Sequence, residues 1–300
     1  MTGVMQAPVV SIVIPTYNHA KFLRGALNSV IAQTFTRWEA IVVNNFSQDD
    51  TVSVIESYRD PRIRFVNFAN QGVIAASRNY GIAVTTAPYI AFLDSDDIWY
   101  PEKLDICVRR LEEGVDLVCH AEKWVGPGDR VRMSAYGPEA RATYSELLYE
   151  GNCISTSAAV VKREFVERVG SFSEDAAFIT AEDYELWLKL ARAGAKIGFV
   201  TDILGAYLIH DGNQSRVALR NMEAVMAVVQ HHLVGQGDRG ANTLRTRRRL
   251  ALIYYSGARG LQDCGQFFAA WPYFLKAIAT YPLVPKFYAA MLLNACGRQP

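Results

Sequence analysis

Val9-Val10-Ser11-Ile12-Val13-Ile14, closed by Pro15, is answered further along the chain by Ala40-Ile41-Val42-Val43. Both runs are short, β-branched and uncharged, the pattern of strands buried on both faces. Between them Phe22, Leu23, Ala26, Leu27, Val30 and Ile31 recur at helical spacing, which predicts an amphipathic helix over residues 19–33. Strand, helix and strand in so short a span make a βαβ unit, and that implies a parallel sheet.

The alternation continues outward from this unit. Asp49 and Asp50 can cap a helix carrying Val52, Val54, Ile55 and Tyr58. Residues 63–66 read as a strand, 74–84 as a helix of small residues and 89–93 as another strand. Pro101 suits the start of a helix reaching residue 113, and 116–120 make a fifth strand. The expected fold is α/β, a mostly parallel doubly wound sheet with helices on both faces. Residues 124–149 show no clean period, while 157–161, 197–200 and 206–209 look like strands and 182–193 like a helix ended by Gly194. After Ser215 the strand signals stop, and helices are expected near 217–233, 243–260, 266–280 and 285–296. The division falls at 212–216, giving a domain over 8–212 and an α-helical region over 213–300.

The 300 residues are half apolar and one fifth charged, ordinary globular composition that excludes a disordered or collagen-like chain. The five cysteines are scattered without Cys-x-x-Cys spacing, which argues against structural zinc and fits a reducing cytoplasm. No secretory signal pattern and no transmembrane run is evident. The net charge of +1 hides an asymmetry: 11 basic against 3 acidic residues from Ser215 on, and 20 against 27 before it. A basic tail suggests an anionic partner. From Arg239 to Arg249 five arginines occur without an acid, ahead of the apolar 250–255 and aromatic helices. That stretch reads either as a helical cap or as a segment lying on an anionic membrane surface. No nucleic-acid recognition pattern accompanies it, so no nucleic-acid partner is expected.

The densest chemistry is Leu93-Asp94-Ser95-Asp96-Asp97, after a buried strand. Three carboxylates in four residues repel one another, and alternate residues of an extended segment share a face. Asp94 and Asp96 can therefore hold one magnesium or manganese ion, completed by substrate phosphates. The blander alternative is a capped helix start. Glu182-Asp183 opens a helix, as a cap or as a general base. Arg78 can lie on a solvated helix face or bind diphosphate oxygens through its planar fork. His210 can be structural or a metal ligand. No G-x-G-x-x-G follows the first strand and no P-loop or G-x-S-x-G elbow occurs, which disfavours dehydrogenase, NTPase and serine-hydrolase chemistry.

Val-Ser-Ile-Val-Ile-Pro-Thr-Tyr-Asn (10–18), Ser-Val-Ile-Ala-Gln-Thr-Phe (29–35), Asn-Gln-Gly (70–72), Ala-Ser-Arg-Asn-Tyr-Gly-Ile (76–82), Phe-Leu-Asp-Ser-Asp-Asp (92–97) and Ala-Glu-Asp-Tyr-Glu-Leu-Trp-Leu (181–188) resemble, in order and spacing, the family 2 glycosyltransferases. The resemblance covers about residues 8–212. It implies a GT-A fold and inverting transfer from a nucleotide-sugar donor to a glycan or lipid-linked acceptor, as in bacterial surface polysaccharide synthesis. It further implies that Pro15, Thr16 and Tyr17 line the nucleotide pocket, that Asp94, Ser95 and Asp96 belong to the metal- and ribose-binding motif, that Asp183 is the base, and that His210 lies near metal and diphosphate. Where the family usually has Asp-Asp-Gly-Ser, this chain has Asn44-Asn45-Phe46-Ser47. Asn45 can still accept a hydrogen bond from the base and can also donate. A uracil-type edge remains compatible, which favours UDP- or dTDP-sugars. The competing readings are an inactive nucleotide-sugar-binding homologue, to which the Asn44-Asn45 change lends weight, and a sugar-nucleotide pyrophosphorylase, which lacks its Gly-rich basic first loop here.

Overall fold

The computed structural model describes residues 6–126, 128, 130–209, 218–234 and 243–297. β1 (Val10–Thr16) pairs in parallel with β2 (Trp38–Asn44) on one side and β4 (Tyr89–Phe92) on the other, and β3 (Ile63–Asn67) extends the parallel set beyond β2. The crossovers are α1 (Ala20–Ile31), α2 (Thr51–Glu56) and α3 (Ile74–Ala83). The order β3-β2-β1-β4 means that the chain leaves β1 to one side and returns on the other. The carboxyl ends of β1 and β4 therefore flank a topological switch point, where open α/β sheets bind ligands.

α1 buries Leu23, Ala26, Leu27 and Val30 against Ile12, Ile14 and Val42 of the sheet. Each large aliphatic side chain so buried contributes about 1.5–3 kcal/mol. The small residues of α3 have a packing reason: a Cβ on Gly81 would lie 2.5 Å from a Val13 methyl, so only glycine lets this helix approach β1.

Beyond β4 the sheet becomes mixed. β8 (Ala159–Lys162) runs antiparallel between β4 and β6 (Leu117–Val125), and β9 (Ile197–Leu208) lies parallel to β6. β5 (Ile98–Trp99) and β7 (Val131–Ser134) add antiparallel edges to β9 and β6. β9 is one long strand where the sequence suggests two, because exposed Thr201 and Asp202 interrupt its apolar pattern. Between β5 and β6 runs α4 (Lys103–Glu112); α5 (Tyr144–Glu150) and α6 (Arg163–Arg168) flank β8 in sequence. The mostly exposed β7 has no buried face to set a period, and it falls in the stretch where the sequence shows none.

The chain divides into two compact units, Met1–Tyr144 with Cys153–Glu174 and Leu186–His210, and Ser145–Asn152 with Asp175–Glu185 and Asp211–Pro300. α7 (Glu182–Arg192) begins among the residues of the second unit. Its described residues from 218 on form α8 (Ala218–Val234), α9 (Leu244–Asp263), α10 (Phe267–Thr280) and α11 (Pro285–Ala295). Ala270, Phe274 and Ala277 of α10 and Phe287 and Ala290 of α11 bury against Ala251, Ala258 and Leu261 of α9. No helix among the described residues is long and apolar enough to cross a membrane.

Candidate active site

The acidic loop follows β4 at the switch point. Its exposure alternates: Asp94 and Asp96 are half-buried, Ser95 and Asp97 buried. Arg78, buried on α3, donates to Asp94 Oδ1 at 2.7 Å, and its guanidinium lies 5.4 Å from the Phe172 ring centre. The solvated-face alternative for Arg78 is thereby replaced: its fork is buried and aimed at the acidic loop. Ser95 Oγ is 2.8 Å from His19 Nδ1, which ties the loop after β4 to the loop after β1.

Asp97 supports the loop from beneath. Burial, then the negative charges of Asp96, Asp94 and Glu122, push its carboxyl well above the usual range, against a hydrogen bond from Ser157. Asp97 Oδ1 accepts the Leu208 N–H at 3.2 Å. Ser157 is a hub that the sequence did not reveal. Its hydroxyl accepts the Asp94 N–H at 3.1 Å, and its carbonyl accepts from Trp99 Nε1 at 2.8 Å and Lys103 Nζ at 3.0 Å. Burial holds the Lys103 amine down to about 7, and Nζ sits 3.2 Å from the Trp99 ring centre.

Asp94 and Asp96 present half-buried carboxylate oxygens, hard donors of the kind that magnesium and manganese take. Among the described residues no group of three or more His, Cys, Asp or Glu side chains could hold a metal ion. Two protein carboxylates leaving other positions to phosphate oxygens match the habit of magnesium.

Pro15 and Thr16 end β1 as buried residues, while Tyr17 is 51 % exposed at the head of the next loop. Asn45 extends the β1–β2 ladder by one step, its N–H donating to the Thr16 carbonyl at 2.9 Å. Its Oδ1 accepts the Asn70 N–H at 3.1 Å, so the loop after β3 fixes its side chain. Asn44 is buried: its Nδ2 donates to Asn67 Oδ1, and its Oδ1 accepts from the Ser47 N–H and hydroxyl. Asn18, Phe46 and Gln71, on the loops after β1, β2 and β3, all have positive φ.

Glu182 and Asp183 open α7. Glu182 Oε2 accepts the Thr180 N–H at 2.8 Å, and Asp183, half-buried, accepts the Tyr184 N–H at 2.6 Å. Tyr184 anchors this turn by donating to the Leu147 carbonyl at 2.6 Å and accepting from Arg249 at 3.2 Å. Arg245 and Arg248 pair with Glu146 and Glu150 at 2.6 Å each. Three of the arginines in the basic run are thus engaged within their own unit, two by glutamates about a hundred residues earlier and Arg249 by the Tyr184 hydroxyl, partners that the run itself does not signal. Arg239 and His210 lie outside the described residues.

The sequence model of glycosyl transferase family 2 matches residues 11–170. The chain belongs to this family. Its fold is that of the GT-A glycosyltransferases. The chain resembles the Escherichia coli UDP-Glc:alpha-D-GlcNAc-diphosphoundecaprenol beta-1,3-glucosyltransferase WfaP, 28 % identical over 84 % of this chain and 94 % of that protein. Among solved structures it resembles Staphylococcus aureus TarS 1-349 in complex with UDP-GlcNAc, with TM-score 0.66, 20 % identity and coverage of 97 % and 89 %. It also resembles the mannosyltransferase PcManGT of Pyrobaculum calidifontis in complex with GDP-Man and Mn2+, with TM-score 0.61, 19 % identity and coverage of 97 % and 85 %.

Proposed function

We propose that this family 2 glycosyltransferase moves a sugar from a UDP- or dTDP-sugar to a hydroxyl of a lipid-linked glycan, with inversion, in bacterial surface polysaccharide synthesis. The observation that carries the reading is the acidic loop at the switch point, with Asp94 and Asp96 half-exposed and Asp94 held by the Arg78 guanidinium and the Ser157 hydroxyl. WfaP, whose name states a lipid diphosphate acceptor, supports the acceptor class. Pro15, Thr16, Tyr17 and Asn45 are assigned to the nucleoside, and Arg78 and Ser95 to the phosphate and ribose side. Asp94 and Asp96, with His210, would hold a divalent cation. That cation supplies positive charge against the leaving diphosphate. Arg78 keeps the Asp94 carboxylate oriented and adds a second positive charge to the same place. Asp183 takes the proton of the acceptor hydroxyl, with Glu182 fixing the turn that presents it. One displacement inverts the anomeric centre. A panel of nucleotide-sugars offered with a diphosphate-lipid-linked acceptor and manganese tests this. Acceptor-dependent UDP or dTDP release is expected; slow donor hydrolysis alone, or none, favours the inactive homologue.

The transfer chemistry is assigned to residues 8–212, and contact with the cytoplasmic face of the plasma membrane to the helices after it. With Arg245, Arg248 and Arg249 engaged, the better lipid-facing surface is the outer side of α10 and α11. Phe268, Pro272, Leu275 and Ala279 of α10 recur at helical spacing opposite its buried face, and all four are exposed. Leu283 and Leu292 are 76 % and 66 % exposed, and residues 264–297 hold Lys276 and Lys286 but no acid. An uncharged outer face with basic residues beside it complements an anionic bilayer. Sedimentation with phosphatidylglycerol vesicles should be lost in Phe268→Ser/Leu275→Ser and kept in Arg247→Gln; the reverse would return the contact to the arginine helix.

A further inference from the structure

Phe46 is held in a conformation that its side chain disfavours. Its φ is +53°, in the left-handed region where a Cβ crowds the following carbonyl. A bulky aromatic there is an outlier, and glycine is the residue that suits it. The neighbours over-determine the turn. Asn44 Oδ1 takes both the N–H and the hydroxyl of Ser47, and Asn44 itself is fixed by Asn67. Across the strand ends, the Asn18 N–H donates to Ser47 Oγ and the Gln48 N–H to Asn18 Oδ1. The ring is nevertheless 57 % exposed, so burial of apolar surface does not account for its presence. A residue that is strained, exposed and held in place by a polar network is poorly explained by stability and well explained by contact with a ligand.

Its place in the fold says which ligand. Thr16 and Asn44 are register partners at the ends of β1 and β2, so Tyr17, one residue past Thr16, and Phe46, two past Asn44, leave adjacent strand ends. Asn45, between Asn44 and Phe46, has its side chain fixed by the Asn70 N–H. Two exposed aromatic residues on neighbouring loops, with a fixed amide between strand end and ring, offer the chemistry that a flat heterocycle takes: an amide for its polar edge and rings for its faces.

We propose that Phe46 is a donor-binding residue whose ring stacks on the nucleobase. The assignment rests on the nucleotide-sugar reading above. Stacking tolerates any base, so Phe46 contributes affinity, while Asn45 discriminates between edges.

The test is calorimetric titration of UDP, with magnesium present, into wild type, Phe46→Gly, Phe46→Ala and Phe46→Tyr, alongside thermal melts. Phe46→Gly should weaken UDP binding between about fivefold and a hundredfold, the range for loss of one aromatic–base stack. The same variant should melt higher by about 2–4 °C, because glycine relieves the strained φ. Phe46→Ala should lose the affinity without the full thermal gain, and Phe46→Tyr should restore the affinity. A purely structural role would move stability and affinity together, or affinity not at all. Wild-type affinity in Phe46→Gly and Phe46→Ala overturns the assignment while leaving the donor reading intact. A wild-type protein that binds no nucleoside diphosphate overturns both.

Discussion

Replacing Ser157 by alanine should loosen the acidic loop without touching a carboxylate. The side chain accepts the Asp94 N–H at 3.1 Å and donates to the buried Asp97 carboxyl. Alanine keeps the Ser157 carbonyl, so the bonds from Trp99 and Lys103 survive. What is lost is one partner for a largely buried amide and one donor to a buried acid. An orphaned buried polar group costs about 1–3 kcal/mol, and the Asp97 bond adds a contribution of similar order. The expected sum is about 2–4 kcal/mol, which in a protein of this size lowers the melting temperature by about 5–10 °C. Asp94 begins the loop, so its carboxylate should also lose its fixed relation to Arg78. Magnesium-dependent UDP binding should weaken by about tenfold, the equivalent of one modest hydrogen bond. Differential scanning fluorimetry reads the first effect and titration calorimetry the second. If Ser157→Ala melts within a degree of wild type and binds UDP equally well, the hub does not brace the loop.

Chelation should abolish transfer, and magnesium or manganese should restore it; Asp96→Ala should stay folded and inactive, and full activity in chelator would remove the cation from the account. A pH effect follows from Lys103, whose folded value is about 7 against 10.5 when unfolded. Between those values the native state binds fewer protons than the unfolded chain, so raising pH favours folding there and the gain is complete near pH 10.5. Wild type should therefore gain stability relative to Lys103→Met between pH 7 and pH 10.5 in parallel melts, and equal slopes would refute the assignment.

The parts of the site carried by contiguous residues were legible in the sequence. β1, β2 and the Asp94–Asp97 loop each announce themselves locally, and the βαβ rule turns the first two into a sheet with a known binding edge. Parts assembled from distant segments were not. Ser157 is separated from Asp94 by 63 residues, and nothing in Ser155-Thr156-Ser157 marks which hydroxyl turns inward. From the sequence Arg78 reads as either a solvated helix-face arginine or a diphosphate ligand, and only the packing of α3 shows its guanidinium buried against Asp94. The basic run looked free because its partners Glu146 and Glu150 stand in a segment without periodicity. Phe46 was visible as a departure from the family pattern, but only the backbone shows that it occupies a position suited to glycine.

The turnover of Asp183→Asn, measured beside its UDP affinity, tests the central claim most directly. The substitution keeps the shape of the side chain and removes the proton acceptor. The account predicts a fall in acceptor-dependent sugar transfer of about 10²–10⁴-fold, the usual contribution of a positioned base, with UDP and metal binding unchanged. Turnover near that of wild type would contradict it.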